Sequence, residues 1–110
     1  MSHLSGYRFM WLMVMFDLPV MTAPERKAAA GFRFDLLDFG FEMAQYSVYL
    51  RCCRGKDHVD AVVRKVERAL PDGGRVDILC FTDKQYENIL SFQRGAAAAS
   101  RKTPGQFALF

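Results

Sequence analysis

The sequence predicts an α+β sandwich of the split βαβ type, folded as one domain. Strand-like and helix-like segments follow one another with short links, in the order strand, helix, strand, a further strand or turn, helix, strand. The two helical segments are amphipathic, and the first strand is apolar on both of its faces. A chain of 110 residues can form one core but is short for two domains. We therefore expect residues 1–93 to form the domain and residues 94–110 to form a basic linker and a C-terminal segment.

The first predicted strand runs from Tyr7 to Phe16 and is followed by an isolated acid, Asp17. Residues 9–16 carry no charge, which is typical of a central strand that is buried on both faces. Asp17 then lies at the carboxyl end of this strand, where open sheets commonly carry chemistry. Two interpretations stay open: Asp17 is a functional carboxylate, or it only ends the strand and begins the turn that Pro19 continues.

A helix is predicted over residues 23–38. Thr22 and Glu25 have the spacing of a capping box, and Gly40 supplies the stop. Its predicted buried stripe consists of Ala29, Phe32, Leu36 and Phe39. Arg26 and Arg33 lie beside that stripe, whereas the apolar Phe34 and Leu37 point away from it and need a partner.

Two further segments complete the middle of the predicted domain. Residues 42–51 alternate apolar and polar side chains, which is the period of a strand. After a turn at Arg54 and Gly55, Asp57 is expected to cap a second helix. Tertiary burial must stabilise that helix, because its apolar stripe is rich in β-branched residues: Val59, Val62, Val63, Val66 and Leu70.

The last part of the domain begins with a turn at residues 71–74, where Pro, Asp and two Gly residues follow one another. A strand is predicted over Val76–Phe81, and residues 85–92 are interpreted as a further strand. The apolar end of the chain, Gln106–Phe110, is expected to add to a sheet edge or to dock on a partner.

The helix count predicts a homodimer. Two helices can cover only one face of the sheet, yet residues 11, 13 and 15 of the first strand are as apolar as residues 10, 12 and 14. The uncovered face needs a second layer, and the commonest one is a second copy related by a two-fold axis. We therefore expect a homodimer whose sheets pack face to face.

The amino-acid composition argues against several classes of protein: disulfide-rich, zinc-binding, secreted and membrane-spanning. The three cysteines are odd in number and include the adjacent pair Cys52 and Cys53, so a disulfide framework is not expected and a reducing cytoplasm fits. Neither zinc-ligand spacing nor a recognisable Cys-His pair is present. No signal peptide is expected after residue 8, because Asp17 and Pro19 interrupt the apolar run, and no transmembrane segment is expected.

The net charge of +3 is carried by the C-terminal part of the chain. Residues 1–90 contain twelve basic and twelve acidic side chains, so Arg94, Arg101 and Lys102 account for the excess. A basic cluster between residues 51 and 68 is consistent with nucleic-acid binding, and equally with a solvated helix face.

Three segments together resemble a known family: Met15–Pro19, the capped helix that carries Arg26, and Phe39–Arg51 with its Gln45-Tyr-Ser47-Val-Tyr49 core. The sequence is similar over about residues 7–92 to the second CRISPR-associated (Cas-two) proteins, the small dimeric partners of the CRISPR integrase. Residues 82–85 and 106–110 look most like members that travel with single-effector systems.

The resemblance implies a ferredoxin-like βαββαβ homodimer that binds nucleic acid and serves as a scaffold for the CRISPR integrase in spacer acquisition. It also implies a metal-dependent endonuclease activity on RNA or double-stranded DNA, with Asp17 as the catalytic and metal-binding residue. A two-fold axis near the strand end would pair two Asp17 carboxylates, which suits Mg2+ or Mn2+ because magnesium is bound by one or two carboxylates with water and phosphate oxygens. Many members carry Tyr where this chain has Phe16, and Phe16 lacks a hydroxyl to orient water.

Five basic residues are candidate phosphate contacts: Arg26, Lys27, Arg33, Arg51 and Arg54. Ser47 is a further polar position, for which an ordinary strand residue is the simpler interpretation. Two other functions remain open, a toxin-like ferredoxin-fold ribonuclease without an integrase partner and a non-enzymatic ligand-sensing or RNA-binding module.

Overall fold

The computed structural model of the chain describes residues 8–94 and 103–104. The elements in this part follow the order βαββαβ and end in a short third helix. They are β1 (Met10–Asp17), α1 (Ala23–Asp38), β2 (Glu42–Gln45), β3 (Val48–Cys53), α2 (Gly55–Arg68), β4 (Arg75–Thr82) and α3 (Asp83–Glu87). The predicted α+β sandwich is therefore confirmed.

The four strands form one antiparallel sheet in the order β2-β3-β1-β4. The uncharged run of β1 is explained by this position, since β1 lies between β3 and β4, with one face fully covered and the other partly covered. Val14, near its middle, is paired with Tyr49 on one side and with Ile78 on the other. Asp17, the last residue of β1, therefore lies at the end of a central strand of the sheet.

Helix α1 has the predicted bounds and the predicted cap. The Thr22 hydroxyl accepts from the Glu25 N–H at 3.2 Å, and the Glu25 carboxylate accepts from the Thr22 N–H at 2.9 Å. Ala29, Phe32 and Leu36 are buried, as their spacing predicts. The outer face carries Phe34, which is 67% exposed.

Residues 42–51 do not form the single strand that was predicted. A turn at Tyr46 and Ser47 divides the segment into β2 and β3, and β3 extends to Cys53. Ser47 adopts a left-handed backbone with φ 66°, an uncommon conformation for a residue with a side chain. Its carbonyl accepts from the Phe16 N–H at 3.1 Å, so the turn is attached to the end of β1.

Helix α2 begins at Gly55 and is not capped by Asp57, contrary to the prediction. Arg54 occupies the N-cap position without a capping side chain, and its backbone N–H donates to Nδ1 of His58 at 3.0 Å. The His58 imidazole therefore accepts a hydrogen bond from the Arg54 N–H, a backbone donor at the start of the helix that no capping side chain satisfies. The stripe of Val59, Val62 and Val66 is buried as expected, whereas Leu70 lies beyond the helix and is exposed.

The main core fills the space between the sheet and the two long helices. Leu12, Val14 and Phe16 point into it from β1. The buried residues that meet them are Phe32, Leu36, Phe41, Tyr49, Cys53, Val59, Val62 and Val66. One face of the sheet is thus closed by α1 and α2, as the helix count predicts.

The second face of the sheet is only partly covered, and α3 provides the cover. The strand predicted at residues 85–92 is wrong: Asp83–Glu87 form a helix, whose capping box joins Thr82 to Gln85. Tyr86 from this helix stacks on Trp11, and together with Leu50 and Cys52 they form a second buried cluster. This cluster closes the part of the face near the start of β1.

The part of the second face near the end of β1 stays open. Met13 and Met15 are half-buried there, and Leu79 on β4 is 49% exposed. This is the apolar surface on which the predicted partner copy would lie, so the homodimer stays a prediction that now has a defined location. No helix between residues 8 and 94 is long and apolar enough to cross a membrane.

The three cysteines are free, in agreement with the expectation that no disulfide framework is present. Burial raises the pKa of Cys52 to about 12 and that of Cys53 to about 11. Burial also raises the pKa of Cys80, which lies on the edge strand β4. The start of the first predicted strand at Tyr7 and the Gln106–Phe110 segment lie outside the described residues.

Candidate functional site

Asp17 lies at the carboxyl end of β1 and is exposed, as the sequence predicts. Side chains alternate along a strand, so Asp17 shares the second, partly open face with Trp11, Met13 and Met15. The main-chain oxygen of Asp17 is in close contact with Gly74, where an added Cβ would lie 2.7 Å from it. The turn at Gly74 therefore packs against the main chain of Asp17, while the Asp17 carboxylate stays accessible.

Arg75 is the first residue of β4 and lies directly opposite Asp17 in the antiparallel register. Opposed residues of such a pair lie on the same face of the sheet with Cβ atoms about 4.5–5.5 Å apart. The Nε–H of Arg75 donates to the Asp77 carboxylate at 3.0 Å. A cation thus neighbours the candidate carboxylate. Sequence reasoning missed Arg75, because the register that places it opposite Asp17 exists only once β4 is paired with β1.

Phe16, which precedes Asp17, points to the helix side of the sheet and is 7% exposed. Its ring meets Phe32 edge-on at a centroid distance of 5.3 Å and stacks with Tyr49 at 5.7 Å. Phe16 is therefore a core residue whose packing fixes the strand end, on the face opposite to that of the Asp17 carboxylate.

Arg33 holds the β2–β3 turn against the end of β1. Its guanidinium lies 5.5 Å from the centroid of the Phe16 ring and 4.7 Å from that of Tyr46, in cation–π contact with both. Its buried Nε has no hydrogen-bond partner among the described residues. Arg33 is half-buried at the same end of the sheet as Asp17, so it stays a candidate phosphate contact.

Arg26 and Lys27 are exposed near the start of α1, also at this end of the sheet. Arg26 donates through Nη1 to the carbonyls of Val20 and Met21, each at 3.2 Å. It therefore also stabilises the link between β1 and α1. Arg26, Lys27 and Arg33 are therefore grouped on one helix near the strand that ends in Asp17.

Arg51 does not lie on the surface, which corrects its expected role as a phosphate contact. It is 3% exposed, donates from Nη1 to the Cys52 carbonyl at 2.7 Å and lies 3.2 Å from Nε2 of His58 through Nη2. Its guanidinium also packs against Gly40, where an added Cβ would lie 3.2 Å from Cζ. Burial of the whole side chain makes Arg51 a structural residue in this fold.

Arg54 is exposed but is separated from Asp17 by the length of the sheet. Cys53, the residue before it, pairs with Met10 at the start of β1, and Asp17 is the last residue of that strand. Strands rise about 3.3 Å per residue, so Met10 and Asp17 are about 23 Å apart and Arg54 is at least as far from Asp17. Arg54 could contact only a different part of a bound duplex.

The oxygen donor set at Asp17 is compatible with a magnesium or manganese ion but is small. Within residues 8–94 and 103–104 no group of three potential ligands from Asp, Glu, His and Cys is present. Magnesium is commonly held by one or two carboxylates, with water and phosphate oxygens filling the other positions. One exposed Asp17 supplies one carboxylate, and a second copy of the chain would supply the other. The residues therefore fit the ion only as a shared site.

Comparison with known proteins agrees with this fold. A family model described as CRISPR associated protein Cas2 matches residues 10–89. The chain is 58% identical over 107 residues to a CRISPR-associated endoribonuclease Cas2 of Paracidovorax avenae, covering 97% of this chain and 99% of the relative.

More distant proteins give the same result. A CRISPR-associated endoribonuclease Cas2 of Flavobacterium psychrophilum is 36% identical over 109 residues, covering 99% of this chain and 95% of that protein. A solved structure described as a crystal structure of Cas2 shares the fold with a TM-score of 0.52 at 15% identity, over 84% of this chain and 99% of that chain. Since the family model spans β1 to the end of α3 and the relatives match over nearly their whole length, this chain belongs to the CRISPR-associated Cas2 family.

Proposed function

We propose that this protein is a homodimeric, metal-dependent endonuclease of a CRISPR system in the cytoplasm, and that it cuts phosphodiester bonds in RNA or double-stranded DNA at a site formed by two Asp17 residues. The observation that carries the proposal is the exposed Asp17 carboxylate on the open half of an apolar sheet face. Two relatives that match nearly the whole chain are named endoribonucleases, which supports RNA as a substrate.

The homodimer is supported by the way α3 divides the second face of the sheet. Tyr86 and Trp11 fill one half, so a partner copy can pack only on the other half, around Met13, Met15 and Leu79. A two-fold axis through that half would run close to Asp17, since Asp17 continues the row of residues 11, 13 and 15. The dimer would then bring the two carboxylates to one site.

The chemistry follows from these groups. A divalent cation held by the Asp17 carboxylates supplies stabilisation of negative charge on the phosphate and activation of a water molecule. During hydrolysis the water oxygen forms a bond to phosphorus, and the bond from phosphorus to the leaving oxygen breaks with its electron pair remaining on that oxygen. An Asp17 carboxylate or solvent takes the proton of the attacking water, and solvent supplies the proton of the leaving hydroxyl.

Binding of the nucleic acid is assigned to the basic residues that the structure leaves accessible. Arg26, Lys27 and Arg33 lie on α1, on the face of the sheet opposite to the Asp17 carboxylate but at the same end of the sheet. They would contact phosphates that pass around this end, and Arg54 would contact a more distant part of the duplex. Such contacts weaken steeply with salt and show little sequence preference. The same basic surface, together with residues 94–110, would serve the scaffold role with the CRISPR integrase.

The test compares the wild type with Asp17→Ala and Asp17→Asn at equal dimer concentration, on single-stranded RNA and on double-stranded DNA, with and without Mg2+ or Mn2+. Asp72→Asn is the control, because Asp72 is an exposed acid in the turn at the same end of the sheet. We expect metal-dependent cleavage that both Asp17 variants lose and the control keeps. Cleavage that continues unchanged in Asp17→Ala would exclude Asp17 as the catalytic residue, and the absence of cleavage by the wild type would leave a binding scaffold.

A further inference from the structure

Arg75 lies next to Asp17 and is the only cationic residue in the described strands β1 and β4. The register pairs the two residues directly, and strand alternation puts both on the partly open face. The side chain of Arg75 is 80% exposed, so its guanidinium can reach a bound ligand. The two opposite charges therefore border the same surface at the corner of the sheet.

The guanidinium of Arg75 is oriented by Asp77 and not by Asp17. Its Nε–H donates to Oδ2 of Asp77 at 3.0 Å, while Nη1 and Nη2 make no hydrogen bond to any residue in the described ranges. Asp77 lies two residues along the same strand and so on the same face. An arginine held at Nε keeps two terminal amino groups that can donate together to two oxygens of one phosphate.

The preceding turn explains how Arg75 reaches this register. Gly73 and Gly74 both have left-handed backbones, with φ 75° and 76°. A Cβ on Gly74 would lie 2.7 Å from the Asp17 carbonyl oxygen and 2.9 Å from Cδ2 of Leu18. Only glycine allows the turn to approach the end of β1 so closely, and the next residue is Arg75.

We propose that Arg75 binds and orients the phosphate that is hydrolysed at Asp17, a role that rests on the proposed function. The ligand is a phosphodiester of a nucleic acid, contacted at its non-bridging oxygens. Negative charge on these oxygens is neutralised by the guanidinium, which stays protonated throughout the reaction. Asp77 acts as a positioning residue because it contacts Arg75 and not the phosphate.

The experiment measures single-turnover cleavage at saturating enzyme for the wild type, Arg75→Ala, Arg75→Lys and Lys84→Ala. Lys84 is an exposed lysine on α3, beyond the other end of β4, so its variant makes the same charge change away from the site. The cleaved position is first mapped with the wild type. A second substrate then carries a methylphosphonate at that position, which removes one charged oxygen.

We expect Arg75→Ala to lower the cleavage rate by about 10²–10³-fold, as the loss of a single donor to a developing oxyanion does in other enzymes. Arg75→Lys should recover part of the rate, and Lys84→Ala should match the wild type. The methylphosphonate should slow the wild type much more than Arg75→Ala, because that variant has already lost the guanidinium that contacts the oxygen. Circular dichroism melting curves check that each variant is folded.

Three outcomes overturn the proposal, and they show whether the proposed function fails with it. If the wild type cleaves and Arg75→Ala is as fast as Lys84→Ala, or if the methylphosphonate slows the wild type and Arg75→Ala equally, the role of Arg75 is wrong while the proposed function stands. If the wild type cleaves no substrate with either metal ion, the proposed function and the role of Arg75 fail together.

Discussion

The indole ring of Trp11 stacks on the ring of Tyr86 at a centroid distance of 3.8 Å and an interplanar angle of 11°. The indole N–H donates to the Asp83 carboxylate at 2.8 Å, so α3 is held to the sheet at two points. Trp11 is fully buried as a result. This contact closes one half of the second face and leaves the other half, which ends at Asp17, partly open.

The stack should be important for stability. Tyr86→Ala removes a buried ring and exposes Trp11, and we expect it to lower the free energy of unfolding by about 3–5 kcal/mol. Tyr86→Phe keeps the ring and should lose much less. Urea denaturation at one fixed protein concentration measures both variants, since dimerisation would make stability depend on concentration. Equal losses in the two variants would mean that the hydroxyl, and not the stack, holds α3.

The open half of the sheet should be the dimer interface. Leu79→Glu puts a charge on that half, and Leu37→Glu puts the same charge on the outer face of α1; the two leucines are 49% and 47% exposed. We expect only Leu79→Glu to dissociate the dimer, because burying an unpaired carboxylate is costly. Sedimentation velocity over a range of concentrations shows the oligomeric state. A dimer that survives Leu79→Glu and dissociates with Leu37→Glu would place the interface on α1.

The turn at Gly74 should be intolerant of any side chain. Gly74→Ala combines a left-handed backbone with a Cβ in contact with main-chain atoms, and we expect a loss of about 2–4 kcal/mol in the free energy of unfolding. Gly31→Ala is the control, since residue 31 lies within α1 and an added Cβ would meet no atom within 4 Å. That variant should gain roughly 0.5–1 kcal/mol. Chemical denaturation of both variants gives the comparison, and a neutral Gly74→Ala would show that the turn can move away from Asp17.

Arg51 should be required for folding and not for binding nucleic acid. Arg51→Ala leaves a cavity and unpaired polar groups beside His58, and we expect it to lose about 2–4 kcal/mol of stability. Arg54→Ala, at an exposed position, should change stability by less than about 0.5 kcal/mol. Thermal melting separates these two effects, and duplex binding below the melting temperature should be the same for Arg51→Ala and the wild type. Weakened binding by a fully folded Arg51→Ala would restore the phosphate-contact assignment.

The buried thiols should make stability decrease at alkaline pH. With pKa values of about 12 and about 11, Cys52 and Cys53 keep their protons in the folded chain, whereas in the unfolded chain they titrate near about 8.5. The native state then binds more protons, so the free energy of unfolding falls as the pH rises above about 8.5 and towards 12. Denaturation between pH 8 and 10.5 should show a smaller decrease for a Cys52→Ala, Cys53→Ala double variant than for the wild type.

The same residues allow a direct check with a thiol reagent at pH 8. Cys80 is exposed, so one thiol should react quickly in the folded protein and three after unfolding. Cys80→Ala should remove the quick phase. Rapid reaction of three thiols in the native protein would contradict the burial of Cys52 and Cys53.

Local patterns were enough to predict much of the fold. Several predicted features depend only on residues that are close together in the sequence. They are the capping box at Thr22, the buried stripe of Ala29, Phe32 and Leu36, and the turn before β4. The same holds for Asp17, because an apolar run followed by an acid places that acid at a strand end. Each of these was confirmed by the structure.

Features that depend on distant contacts were not predictable in this way. Alternation continues across Tyr46 and Ser47, so it did not reveal the turn that the Phe16 N–H stabilises. Residues 85–92 were wrongly predicted as a strand. The capping box at Thr82 and the docking of Tyr86 on Trp11, 75 residues earlier in the chain, decide that residues 83–87 form a helix. Arg51 was expected on the surface because it is charged. Its burial depends on contacts with His58 and Gly40, which are not adjacent to it in the sequence.

By itself the sequence determined the class of fold, the bounds of α1 and the position of the isolated acid, because periodicity and capping are properties of adjacent residues. Only the tertiary structure decided which half of the second sheet face stays open and which cation lies beside Asp17. The physical reason is that strand register and the docking of α3 are set by pairing and burial between segments that are far apart in the chain. Arg75 has no feature in the sequence that distinguishes it from the other arginines until β4 is paired with β1.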